Sequence, residues 1–162
     1  MNMRIVVMGV SGCGKSTVGQ QLAAALDARF VDGDDLHPPA NKSKMAAGIP
    51  LNDSDRWPWL DLVGAELAKG NTIVACSALK VAYRDRISAA ADGTFFVHLA
   101  GSRELLEQRM RARTNHFMPA SLLDSQLATL EPLGADEMGA VFDIATPPAQ
   151  LVEQIVARLR AE

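Results

Sequence analysis

The feature that most constrains this chain lies near its start, in the run Gly9-Val10-Ser11-Gly12-Cys13-Gly14-Lys15-Ser16. It fits the pattern G-x-x-x-x-G-K-[ST] at every position. The residues before it, Arg4–Met8, form a short β-branched run that reads as a buried strand. The residues after it, Lys15–Asp27, repeat Val18, Leu22 and Leu26 at i, i+4 and i+8, one face of a helix. A strand, a glycine-rich turn and a helix in that order make a cradle for phosphate. Glycines let the backbone take positive φ and approach an anion closely. Successive N–H groups then point inward, and the helix N-terminus adds its partial positive charge. Lys15 reaches toward the β- and γ-phosphates, and the Ser16 hydroxyl is placed to ligate Mg²⁺. The nucleotide-binding set is Gly9, Val10, Ser11, Gly12, Cys13, Gly14, Lys15 and Ser16, with Thr17 a further polar group at the helix start.

The rest of the chain continues the alternation. Arg29–Val31, Thr72–Cys76, Thr94–Leu99 and Val141–Ile144 read as further strands. Pro38–Ala47, Asp53–Lys69, Leu79–Ala91, Arg103–Arg113 and Ala120–Leu130 read as helices. A last helix follows Pro147-Pro148 and stacks Leu151, Ile155 and Leu159 on one face. Five strands alternating with helices predict an α/β fold, a parallel sheet with helices on both faces. With 162 residues, the whole chain 1–162 is expected to form a single domain. Leu36–Leu51 and Thr114–Pro119 are the two segments expected to be mobile.

Composition narrows the function classes. Hydrophobic residues make up 48% and the net charge is −3, so nothing draws the whole chain to nucleic acid or to anionic lipid. An anionic ligand must be held by a local set of donors. No apolar run approaches the length of a membrane span, and the stretch after Met1–Arg4 is too short for a secretory signal. Cys13 and Cys76 make neither a disulfide framework nor a spaced metal site, which fits a reducing cytoplasm. Both are placed near the cradle, where oxidation would act as an off-switch.

A phosphate cradle alone does not separate enzymes from regulators. A regulatory GTPase needs an N-K-x-D base reader, but Asn41-Lys42-Ser43-Lys44 lacks the Asp, and the third strand ends in Cys76-Ser77 without a metal-binding Asp. Carboxylates appear instead after the second strand, in Asp32-Gly33-Asp34. Residues i and i+2 of an extended segment face the same way, so both can project at the carboxyl edge of the sheet. One would serve Mg²⁺ and the other would take the proton of an attacking hydroxyl.

The cradle, Asp32-Gly33-Asp34-Asp35-Leu36-His37-Pro38, Asn41, Lys44-Met45 and Pro50–Leu60 (with Asn52-Asp53, Asp55-Arg56 and Pro58-Trp59-Leu60) resemble the gluconokinase family of small P-loop kinases. Cys76–Lys80, Tyr83-Arg84-Asp85, Arg109, Arg113, His116-Phe117-Met118, Ser125-Gln126, Thr129–Glu131 and Asp136-Glu137 extend the resemblance along nearly the whole chain. Asn115 and Leu127 depart from that family's usual Gly and Phe. The resemblance implies a P-loop NTPase fold of nucleoside-monophosphate-kinase type, with a lid at about 113–121 and a substrate-binding helical segment at about 36–69. It also implies transfer of the γ-phosphate of ATP to the 6-hydroxyl of D-gluconate, with Mg²⁺. ATP and D-gluconate are the expected partners, without nucleic acid or membrane, and a homodimer is left open.

The role assignments join residue chemistry to that resemblance. Lys15, Asp34, Asp32 and Arg113 are expected to be catalytic, with Ser16 and Asp32 serving the metal. Asp34, His37, Arg56, Lys80, Arg84 and His116 are expected on the acceptor substrate, Arg56 on its carboxylate because a guanidinium fork suits one. Arg109 and Arg113 share a helix face toward the phosphates, and by resemblance Arg109 also stacks on adenine opposite Pro147. His98 reads as structural. The other readings are an adenylylsulfate or shikimate kinase and, in a different class, a nucleotide-dependent regulatory protein. Leu36-His37-Pro38 argues against the first. The second would show a Gly triplet where Cys76-Ser77-Ala78 stands.

Overall fold

The structure, a computed structural model, describes residues 3–112 and 120–161. Its strands are β1 (Arg4–Met8), β2 (Arg29–Asp32), β3 (Thr72–Ala75), β4 (Phe95–Ala100) and β5 (Gly139–Asp143). They form one parallel sheet in the order β2-β3-β1-β4-β5. The helices are α1 (Lys15–Leu26), α2 (Pro39–Ala46), α3 (Asp53–Ala68), α4 (Val81–Ala90), α5 (Arg103–Arg111), α6 (Ala120–Thr129) and α7 (Pro148–Arg160), with a 3₁₀ turn at Gly33–Leu36. Among the described residues, no helix is long and apolar enough to cross a membrane.

β1 lies at the centre, and its alternation divides the interior. Ile5 and Val7 face α1, α5, α6 and α7, against Val18, Leu22, Leu106, Leu123, Leu151 and Ile155. Val6 and Met8 face α3 and α4, against Leu60, Val63, Leu67 and Ile87. Being covered on both faces, β1 is a continuous apolar run, and each such side chain contributes about 1.5–3 kcal/mol when fully buried. The carboxyl ends of β1, β2 and β3 open on one edge, where the cradle, Asp32 and Ser77 meet. Gly9 N–H donates to the Ser77 carbonyl at 3.3 Å, tying two of those ends together.

Several boundaries differ from the sequence expectation, each for a tertiary reason. β5 begins at Gly139, not Val141, because Gly139 pairs with Phe96. A Cβ there would lie 2.5 Å from the Phe96 carbonyl oxygen, so the strand starts on a residue that carries no strand signal. α4 begins at Val81, not Leu79. Its first N–H donates to Glu131 Oε1 at 2.7 Å, a cap supplied from fifty residues downstream. α3 opens with a capping box between Asn52 and Asp55. Pro58 lies inside this helix, beyond its first turn, where the ring removes the N–H that would reach the Ser54 carbonyl. The segment expected to be mobile after Leu36 holds α2, which Asn41 and Lys44 fasten to Asp55 of α3. The second such segment, Thr114–Pro119, lies outside the described residues.

Candidate active site

The cradle occupies the turn from β1 to α1. Gly9 takes φ 148°, and a Cβ there would meet the Leu99 carbonyl at 2.7 Å and Cys13 Sγ at 2.8 Å. Gly14 stands at the N-cap of α1 with φ 89°. No side chain caps this helix, and its first backbone bond runs from Val18 N–H to the Gly14 carbonyl at 3.0 Å. The N–H groups of Lys15, Ser16 and Thr17 are thus left for an anion. The Lys15 ammonium folds over the loop and donates to the carbonyls of Gly9 at 3.0 Å and Val10 at 3.3 Å. Ser11 N–H is already taken by Gln126 Oε1 at 2.6 Å.

Facing this loop, the Ser16 hydroxyl donates to Asp32 Oδ2 at 3.2 Å, and Asp32 Oδ1 accepts from Asp34 N–H at 3.0 Å. A hydroxyl and a carboxylate side by side are hard oxygen donors. They fit Mg²⁺, which keeps most of its shell as water and nucleotide oxygens. The two aspartates do come together, but not as i and i+2 of a strand. Asp32 ends β2 and its side chain caps the 3₁₀ turn that carries Asp34. Partial desolvation and then the Asp32 carboxylate raise the proton affinity of Asp34, while Lys15 and His37 pull the other way. A raised affinity is what a proton acceptor requires.

Next to Asp34, His37 begins a wall of side chains that continues on α2, α3 and α4. His37 stacks on Trp59, centroids 4.2 Å apart and planes 15° from parallel. Trp59 Nε1–H donates to the Gly33 carbonyl at 2.8 Å, so the same ring holds the 3₁₀ turn. Burial, Arg56 and Lys42 hold His37 below the usual imidazole range, against the pull of Asp34. Arg56 Nη1 donates to the Tyr83 hydroxyl at 3.3 Å and lies 3.6 Å from Asp53 Oδ1. Tyr83 in turn donates to Asp53 Oδ1 at 2.6 Å. Burial and that hydrogen bond push the Tyr83 phenol up to about 12. Arg56 and Lys80 both lie 5.6 Å from the centre of the Tyr83 ring, so two cations converge on one aromatic side chain.

Arg84, expected on the substrate, is a correction. It is 1% exposed and its donors are taken up by Glu137 at 2.7 and 3.2 Å and by the carbonyls of Ala78, Glu131 and Pro132. On α4 it follows Tyr83, and one helical step turns it from the wall to the interior, where it fastens the 131–137 segment. Arg109 Nη2 donates to the Ile144 carbonyl at 2.6 Å, and Nη1 lies 3.8 Å from where a Gly14 Cβ would stand. It therefore spans from the cradle to the segment that ends at Pro147, the cap of α7. Arg113 and His116 lie outside the described residues. His98 is buried on β4, and its Nδ1 has no hydrogen-bond partner among the described residues. Both cysteines are buried, and burial pushes the Cys76 thiol up to about 12, which disfavours its thiolate.

Sequence reasoning passed over Tyr83 and Gln126 as site residues and gave Asn41 no role. Only the resemblance drew the eye to them. Nothing in their local spacing marks them, because each acts on a partner from another element.

A parallel sheet in this order, with a phosphate cradle after its central strand and a carboxylate pair facing it, defines a P-loop kinase. A family model described as an AAA domain matches residues 5–133. The chain is 45% identical to a probable gluconokinase of Xenopus tropicalis, covering 94% of this chain and 91% of that protein. It is 44% identical to a gluconokinase of Gluconobacter oxydans, covering 98% and 92%. A crystal structure of a gluconokinase from Sinorhizobium meliloti superposes with a TM-score of 0.91 at 49% identity, over 99% of this chain and 93% of that one. The chain belongs to the gluconokinase family.

Proposed function

We propose that this protein transfers the γ-phosphate of ATP to the 6-hydroxyl of D-gluconate, giving 6-phospho-D-gluconate and ADP. The observation that carries the reading is the position of Asp34. Its carboxyl feels the charges of Lys15 in the cradle and of His37 in the wall, and His37 in turn feels Arg56. An acceptor hydroxyl held there by a carboxylate on Arg56 meets a base and a phosphoryl donor together. As the hydroxyl oxygen attacks phosphorus, its proton passes to Asp34, the bond to the β,γ-bridging oxygen breaks, and ADP leaves. Lys15 turns from the loop carbonyls to the phosphates and offsets their charge.

Ser16 and Asp32 would hold Mg²⁺, directly or through water. When bound with the nucleotide, the ion would supply neutralising positive charge to the phosphates. Arg109 and Pro147 flank the adenine in this reading, with Arg113 assigned a catalytic role and His116 a contact to the acceptor. Gly9–Thr17 cradle the phosphates. The setting is the cytoplasm, where ATP is supplied.

The test is a coupled ADP-release assay with gluconate, adenylylsulfate and shikimate in parallel. Turnover is expected with gluconate alone. ADP release driven by either other acceptor, or slow hydrolysis indifferent to all three, would overturn the assignment.

A further inference from the structure

The wall contains a hydrogen-bond chain that fixes where a proton sits. Asn41 is 3% exposed, and its Nδ2 lies 2.9 Å from the Asp55 backbone carbonyl and 3.2 Å from His37 Nδ1. A carbonyl only accepts, so the amide nitrogen must face it. The flipped amide would set two acceptor oxygens against each other. The nitrogen has two hydrogens, and the second points to His37 Nδ1. That ring nitrogen must then offer a lone pair, and the proton of a neutral imidazole stands on Nε2.

The anchor of this chain does not move freely. Asp55 is held by the capping box with Asn52 and by Lys44 at 2.8 and 3.0 Å. The imidazole plane is held by its stack on Trp59. No described residue accepts from Nε2. Lys42 and Arg56 disfavour a second proton on the ring and Asp34 favours one, with burial deciding against it.

We propose that Asn41 locks His37 in the neutral Nε2–H tautomer, so that His37 is an obligatory donor to an oxygen of the acceptor substrate beside Asp34. Asn41 is then a positioning residue. The lock has a chemical purpose. An imidazolium here would pair with Asp34 and lower its proton affinity, whereas a neutral N–H orients an oxygen and leaves the base intact. The substrate contact rests on the function proposed above, but the tautomer does not.

Long-range proton–nitrogen NMR on protein labelled with ¹⁵N-histidine separates the two. Without ligand, His37, assigned by comparison with His37→Phe, is expected to show a bare Nδ1 and a protonated Nε2. A protonated Nδ1 in the wild-type protein overturns the lock, whatever the activity. Gluconate is expected to shift the Nε2–H signal, and a signal unmoved by saturating gluconate overturns the contact. In Asn41→Asp the new carboxylate only accepts, so a proton is drawn onto Nδ1. The kcat/KM for gluconate is expected to fall about tenfold. The KM for ATP is expected to stay within about twofold. An unchanged spectrum and an unchanged kcat/KM for gluconate in that variant would overturn the proposal. If the variant does not fold, the wild-type spectrum still decides.

Discussion

The two halves of the site are built in different ways. The phosphate side is one contiguous loop whose working groups are backbone N–H donors and the side chains of Lys15 and Ser16. The side proposed to take the acceptor is a mosaic. His37 comes from the cap of the 3₁₀ turn, Asn41 from α2, Arg56 and Trp59 from α3 and Tyr83 from α4. Apart from His37 and Asn41, which are four residues apart, the groups that touch come from elements distant in the chain. A backbone site needs little more than its own glycines to take shape. A mosaic needs every contributing element in register, so it is open to change in acceptor specificity and to damage from a distance.

Asp34 stands where the halves meet, and changes there should have the largest effect. Lys15→Ala and Asp34→Asn are each expected to lower the phosphorylation rate by about three orders of magnitude, measured by single-turnover kinetics on folded protein. Their stabilities should diverge from their rates. Because the folded protein raises the proton affinity of Asp34, its ionised form is costly in the native state. That cost is present above the folded-state pKa and vanishes as pH falls below the unfolded one. Asp34→Asn should therefore melt slightly higher than wild type at neutral pH, and the gain should fade in acid. A lower melting temperature at neutral pH would show that the carboxylate supports the fold.

The same contrast explains what the sequence made legible. The cradle could be read because its residues are neighbours and its chemistry depends on their order. The sheet could be read because β1, β3 and β4 are apolar runs, buried on both faces. The two aspartates lie together through a turn capped by Asp32 and not through strand alternation, which the spacing alone did not reveal. The wall was legible only as residue types. That Arg84 turns inward while Tyr83, one position earlier, turns to Asp53 depends on Glu137, whose place follows from the pairing of Gly139 with Phe96. No spacing within α4 carries that information.

Arg84 offers the next test of the division. Removing one partner of a buried, hydrogen-bonded ion pair leaves the other uncompensated. Arg84→Met is expected to cost about 3–5 kcal/mol of unfolding free energy by urea titration, with KM for gluconate and ATP unchanged in the folded fraction. A raised gluconate KM with stability intact would place Arg84 in the wall after all and redraw its boundary.

The smallest effect tests whether the phosphate side is as self-sufficient as its contiguity implies. Ser11 N–H is held from outside the loop, by Gln126 Oε1 at 2.6 Å on α6. That helix begins just after the segment expected to form the lid, and Leu123 anchors it in the core beside Val10. Gln126→Leu keeps the apolar bulk but leaves the N–H without its acceptor, a loss of about 1 kcal/mol. If that hydrogen bond sets the shape in which the loop meets phosphate, the ATP KM rises about fivefold while kcat falls by less than half. An ATP KM that does not move would mean that glycine geometry alone holds the cradle. A fall in kcat at constant KM would instead mean that α6 acts in the transition state, through the loop, on the phosphoryl group in flight.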